Sequence, residues 1–207
     1  MFTACYPLIL ASASPRRREL LTQLGLEFQI VAAMIDEAPC PDEAPTDFAR
    51  RMAAEKTEQT AKLHPNTCVI GADTVVALGQ HIIGKPSDYK DAMAILTSLQ
   101  GQTHTVITGF ALMAKNRGMT KVDTVSTAVT FGTYSEKVLW SYVQTGEPMD
   151  KAGAYGIQGA GGFLVREIAG SYSNVVGLPL HAVVQVLLKW NCIQPRQCFP
   201  PARGNSH

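Results

Sequence analysis

Leu8-Ile9-Leu10-Ala11-Ser12-Ala13-Ser14-Pro15-Arg16-Arg17-Arg18 carries the reading of the fold. Leu8 to Ala11 is a short apolar run, the pattern of a buried strand. Ser14 then stands where a helix cap belongs, with Pro15 at the first helical position. Leu20, Leu21 and Leu24 give the helix one apolar face, and Gly25 follows its end. A buried strand feeding a capped helix is how an α/β chain begins. The run from Phe2 to Leu10, followed by Ala11-Ser12-Ala13, imitates a secretory leader. No Lys or Arg precedes it, Pro7 interrupts it and the arginines come after it, so it is read as structure.

The pattern continues outward. Glu27 to Val31 alternates like a strand, and residues 36 to 46, with their prolines and acids, form a loop. A long helix is expected from Asp47 to Leu63, then a strand from Cys68 to Leu78 with Ile82 and Ile83 as its hairpin partner. Ser87 is expected to cap a helix through Leu99. His104–Met113 and Lys121–Phe131 are rich in Val and Thr and read as strands. Ser135 with Glu136 opens a helix through Val143, Phe163 to Ile168 is a strand, and a last helix runs from Pro179 to Trp190. Helices and strands alternate and then strands cluster, which predicts an α/β chain with a mixed sheet. Residues 1–190 make one domain, and the tail 191–207 is expected to be disordered.

Composition narrows the function classes. The 207 residues are 46% hydrophobic and 17% charged, against the usual ~25% charged, so the chain is globular. A net charge of +1 gives no global basic field for duplex nucleic acid. A polyanionic partner must be small and held by a local group of cations. Five cysteines, an odd number with no C-x-x-C pair, are read as reduced thiols of a cytoplasmic protein without a zinc site. No apolar run reaches the ~18 residues of a membrane span.

Three arginines in a first helical turn conflict with the partial positive charge there, by a few tenths to ~1 kcal/mol each. A bound anion removes the conflict: free N–H groups, the Ser12 and Ser14 hydroxyls and an arginine fork suit a phosphate. A solvated arginine cluster is the competing reading. Asp73 is the one acid in Val69-Ile70-Gly71-Ala72-Asp73-Thr74-Val75-Val76, where an ionised carboxylate needs a partner or a metal unless it reaches solvent. Gly79 to Pro86 imitates a P-loop but places Pro86 where Ser or Thr must hold magnesium, leaving Lys85 as a point charge for phosphate. Gly153-Ala-Tyr-Gly-Ile-Gln-Gly159 reads as close backbone packing near a ligand. Gln158 in it can offer a donor and an acceptor to a base edge, or simply face water. Glu37, beside Asp36, would complete a magnesium site with Asp73, and otherwise is surface charge. Lys56, mid-helix, reads first as solvated.

Together these pieces resemble the Maf family. The resemblance runs from Leu8 to Trp190 and rests on Leu10-Ala-Ser-Ala-Ser-Pro-Arg-Arg17, Glu55-Lys56, Gly71-Ala-Asp-Thr74, Gly84-Lys-Pro86, Asp150-Lys-Ala-Gly-Ala-Tyr-Gly-Ile-Gln-Gly159 and Val176-Gly-Leu-Pro-Leu180. Thr74 and Ile157-Gln158 are similar to the branch acting on dTTP, UTP and modified uridine triphosphates. The resemblance implies a Maf-like, ITPase-like mixed sheet with two lobes around a cleft. It implies Asp73 as the catalytic carboxylate and Arg16, Thr74 and Gln158 as specificity positions, with Ser12, Glu37, Lys56 and Lys85 in the cleft. The expected activity is hydrolysis of a nucleoside triphosphate to monophosphate and pyrophosphate. Asp73, Lys56 and Lys85 would be catalytic, and Ser12, Ser14, Arg16, Arg17, Thr74 and Gln158 would bind substrate. Asp73 and Glu37 would hold Mg²⁺ or Mn²⁺. The expected partner is the triphosphate alone, without nucleic acid or membrane, and a homodimer is left open. The rival classes are a non-catalytic nucleotide-binding regulator of cell division and a nucleic-acid binder built on Arg16, Arg17 and Arg18.

Overall fold

The computed structural model describes residues 1–196. Fifteen regular elements follow one another: β1 (Phe2–Ala4), β2 (Leu8–Leu10), α1 (Pro15–Gln23), β3 (Gln29–Ile30), α2 (Pro45–Leu63), β4 (Cys68–Leu78), β5 (His81–Ile83), α3 (Tyr89–Leu99), β6 (Thr103–Ala114), β7 (Met119–Phe131), α4 (Glu136–Val143), β8 (Val165–Ala169), α5 (Tyr172–Val176), α6 (Leu180–Lys189) and β9 (Ile193–Pro195), with short 3-10 turns between them. A seven-stranded mixed sheet runs β3-β2-β4-β6-β7-β8, with β5 as a hairpin on β4. Its first three strands are parallel and the rest antiparallel. The expected α/β class with a mixed sheet is what the chain adopts.

Leu8, Ile9 and Leu10 are all buried between β3 and β4, at about 1.5–3 kcal/mol for each such side chain. Ser14 caps α1 through its side chain, as expected, and Gly25 takes the left-handed backbone (φ 77°) that ends it. Two glycines set the distance between α2 and the sheet. A Cβ on Gly109 would strike the Ala49 carbonyl, and one on Gly71 would strike the Thr57 hydroxyl. Without side chains there, α2 lies directly on β4 and β6, and this close approach brings Lys56 to Asp73.

Four local expectations are corrected. Asp88, not Ser87, caps α3: the Asp88 carboxylate accepts from Asp91 N, while Ser87 donates to Asp91. Helix α2 starts at Pro45 rather than Asp47, since Pro is well placed in a first turn. The strand expected from Phe163 begins at Val165, because Ala160–Leu164 winds as a 3-10 turn. The tail does not lose structure at Asn191. Ile193–Pro195 pairs antiparallel with Phe2–Ala4, and Ile193 joins the core beside Trp190. The rest of the expected disordered tail, 197–207, with Cys198 and His207, lies outside the described residues.

Candidate active site

Successive side chains of a strand point to opposite faces, and β4 uses this to separate two sets of polar groups. On the α2 face, Gly71 meets Thr57, while Val75 and Ala77 pack with Phe48, Ala49 and Met52. Asp73 shares that face. Its Oδ1 accepts from Lys56 Nζ at 2.6 Å, and the same Nζ lies 2.8 Å from Glu37 Oε1. The Lys56 and Asp73 side chains are 10% and 13% exposed, whereas Glu37 is 61% exposed. A buried ammonium is thus neutralised by two carboxylates, one enclosed and one open to solvent. The competing reading of Lys56 as a solvated helix charge does not hold. Helix packing at Gly71 and Gly109, not anything in its own neighbourhood of sequence, takes it out of water.

Thr74 faces the other way, toward α1 and α5. Its hydroxyl meets Arg17 Nη2 at 3.1 Å and Thr108 Oγ1 at 2.9 Å. Arg17 also donates from Nε to the Gly177 carbonyl at 2.8 Å and from Nη1 to Ser12 Oγ at 3.0 Å. Every acceptor is neutral. Burial pulls the Arg17 pKa below its ordinary value; Asp73 and Glu37 oppose this and Arg16 adds to it. Ser12 is buried and also accepts from Ser14 N, and Ser14 Oγ accepts from Arg17 N. Of the first-turn arginines, Arg17 is therefore committed to the protein. Arg16 keeps a partly exposed fork whose one ion pair among the described residues is a 3.9 Å contact with exposed Asp150.

Lys85 and Gln158 are exposed and make no hydrogen bond or ion pair among the described residues. The segments carrying them are tied together, since Gly153 N donates to the Gly84 carbonyl at 3.1 Å. The structure thus brings Asp73, Lys56 and Glu37 into one cluster and Ser12, Ser14, Arg17 and Thr74 into a second, on opposite faces of one strand.

Sequence reasoning missed a supporting set. Asn174, fully buried on α5, donates to Val106 O and Thr127 Oγ1 and accepts from Thr108 through its backbone carbonyl, which anchors the Thr74 network. Ser171, which caps α5 at Asn174 N, was the available signal. Glu147 and Tyr142, under the glycine segment, bond mostly to backbone N–H groups, and no spacing announces that.

The cation question turns on the donor set. Asp73 and Glu37 converge on a single cationic atom, Asp73 Oδ2 accepts no hydrogen bond among the described residues, and Glu37 opens that side to water. Among the described residues no group of three or more acidic, histidine or cysteine side chains is gathered for a metal, but Mg²⁺ takes one or two carboxylates and completes its shell with water and phosphate, a number that Asp73 and Glu37 supply.

Residues 7–190 match the family model described as Maf-like protein. A dTTP/UTP pyrophosphatase from Desulfotalea psychrophila (strain LSv54 / DSM 12343) is 50% identical over 193 residues, covering 93% of this chain and 99% of the relative. One from Myxococcus xanthus (strain DK1622) is 51% identical over 180 residues, covering 87% and 90%. Another, from Geotalea uraniireducens (strain Rf4), is 45% identical over 194 residues, covering 94% and 100%. This chain belongs to the Maf family.

Proposed function

We propose that this protein hydrolyses dTTP, UTP and modified uridine triphosphates to the monophosphate and pyrophosphate, as a hydrolase that clears nucleotides from the pool. The observation that carries the reading is Lys56 Nζ held between Asp73 and Glu37, in a chain half identical to relatives bearing that enzyme's name. Those relatives do not favour a non-catalytic regulator of cell division.

Asp73 and Glu37 would hold a divalent ion, which when bound neutralises phosphate charge and activates water. Asp73 would take the proton of the attacking water at Oδ2, which accepts no hydrogen bond among the described residues. Oxygen attacks the α-phosphorus, the bond to the β-phosphate bridge breaks, and pyrophosphate leaves with the electron pair. Lys56, exposed Lys85 and the partly exposed fork of Arg16 offset charge on the phosphates. Ser12 and Ser14 shape the turn that presents Arg16. Thr74 acts on the site through Arg17, whose guanidinium it holds. Gln158 reads the base: its amide offers one acceptor and two donors, and uracil offers an N3–H between two carbonyls.

Hydrolysis of UTP in ¹⁸O-labelled water should place the label on the α-phosphoryl group of UMP. Label in orthophosphate would overturn the assignment of the attacked phosphorus. Excess EDTA should abolish turnover, and full activity in its presence would remove the metal from the reading.

A further inference from the structure

Gln158 sits on a turn between Gly156 and the short 3-10 turn Ala160–Leu164. Two backbone turns shape it, Gly159 N to Gly156 O at 3.2 Å and Gly162 N to Gly159 O at 3.1 Å. Such a segment orders an amide only if something fixes it from below. One carboxylate does so. Glu147 Oε2 accepts from Ala160 N at 2.9 Å, and Oε1 accepts from Gly161 N at 3.1 Å and from the Tyr142 hydroxyl at 3.0 Å. The Tyr142 oxygen in turn accepts from Gly156 N at 3.1 Å. Both ends of 156–161 are thereby fastened to a single pair, and Tyr142 is buried on α4. Lys151 Nζ holds the Glu147 carbonyl at 2.6 Å, which fixes the base of the carboxylate's own chain.

The glycines of the motif follow from this clamp. A Cβ on Gly159 would lie 2.5 Å from the Glu147 carboxylate, one on Gly156 would lie 2.7 Å from Lys151 Cε, and one on Gly161 would overlap the Tyr142 hydroxyl. None of the three needs a left-handed backbone. They are small because the segment is pressed onto Glu147, Lys151 and Tyr142. Burial alone would raise the Glu147 pKa. The N–H groups of Gly161 and Ala160, the Tyr142 hydroxyl and the Lys151 charge outweigh it and hold the carboxyl below its usual value, in the acceptor form the clamp requires.

We propose that Glu147, acting with Tyr142, is a positioning residue for base selection: it sets where the Gln158 amide stands without touching the substrate. The inference rests on the reading of Gln158 as the base-reading residue. It extends base selection to two side chains outside the phosphate and carboxylate clusters.

The test compares kcat/KM for UTP and ATP. Glu147→Gln keeps the shape but exchanges one acceptor oxygen for a donor that faces a backbone N–H or the phenol. Tyr142→Phe removes a single oxygen. Each should lower the UTP-to-ATP ratio roughly tenfold, the scale of one misplaced polar contact, chiefly through KM for UTP. In a Gln158→Ala background neither substitution should change the ratio further. Hydrogen exchange at the amides of 156–161 should speed up in both. Equal loss for UTP and ATP, or a ratio that still falls in the Gln158→Ala background, overturns the positioning role while the reading of Gln158 stands. An unchanged ratio in Gln158→Ala alone overturns the base-reading assignment, and this inference with it. Should Glu147→Gln fail to fold, Tyr142→Phe decides alone.

Discussion

Lys56 and His104 are both buried residues able to carry a positive charge, and the protein treats them in opposite ways. Lys56 receives two carboxylates within 2.8 Å. His104 receives one phenol, Tyr155, at 3.0 Å from Nε2; its Nδ1 has no partner among the described residues, and Phe131 and Tyr155 stand edge-on around the ring. Arg17 lies between them in kind, its donors met by three neutral oxygens. The lesson concerns where chemistry can occur. A cation surrounded by carboxylates sits among partners that another charged group can exchange with. A cation met only by neutral acceptors is held by the protein's own hydrogen bonds, and an imidazole among aromatics stays uncharged. Burial alone does not distinguish Lys56 from His104; the charge of the partner does.

Removing the enclosed carboxylate should undo the difference between Lys56 and Arg17. Asp73→Asn keeps the shape and leaves Lys56 with Glu37 alone. We expect kcat to fall about a thousandfold, within the range for a lost general base, while nucleotide binding largely survives because Lys85 and Arg16 are untouched. Single-turnover kinetics with an equilibrium binding measurement checks both. A variant with near-normal kcat would mean that the paired lysine is as structural as Arg17.

The two neighbouring arginines sharpen it further. Arg17→Lys cannot replace three directed hydrogen bonds to Gly177, Ser12 and Thr74 with one ammonium. At about 0.5–1.5 kcal/mol for each bond lost, the unfolding free energy should fall by roughly 2–4 kcal/mol. Arg16→Ala should leave urea unfolding nearly unchanged and raise KM for UTP severalfold. Reversed results, with Arg16 holding the fold and Arg17 the substrate, would reverse the assignment of framework and site.

Much of this was legible from the chain alone, for reasons that vary by residue. β2, β4, β6 and β7 are long or wholly apolar, and α1 announces itself by Ser14 and Pro15. β1 and β9 were not legible, because each three-residue strand exists only by pairing with the other across nearly the whole described chain. α5 has five residues, too few to show a helical period. Asp73 stood out as a lone acid in an apolar strand. Lys56 did not, since a lysine after a glutamate in a long helix looks solvated until Gly71 and Gly109 let the helix settle on the sheet. Glu147 was passed over because a carboxylate that binds backbone N–H groups leaves no trace in residue spacing.

Burial lowers the His104 pKa from its ordinary 6.5 to about 4. Between those values the unfolded chain binds a proton that the folded chain refuses. Unfolding is therefore favoured as pH falls from about 6.5 toward 4, and the dependence from this residue levels off below 4. At 1.36 kcal/mol per pKa unit, moving from pH 7 to pH 4.5 should cost about 2 kcal/mol through His104. Carboxylates add their own acid sensitivity, Glu147 among them, so the informative quantity is a difference between proteins. His104→Gln puts a neutral amide in place of the ring and removes its titration. Urea unfolding of both proteins at pH 7 and pH 4.5 should show the parent losing about 2 kcal/mol more than the variant. Equal losses would mean that the Nδ1 side of the ring accepts a proton in the folded state. His104 would then have to find a partner for its charge, as Lys56 does, and the two buried positions would differ only in degree.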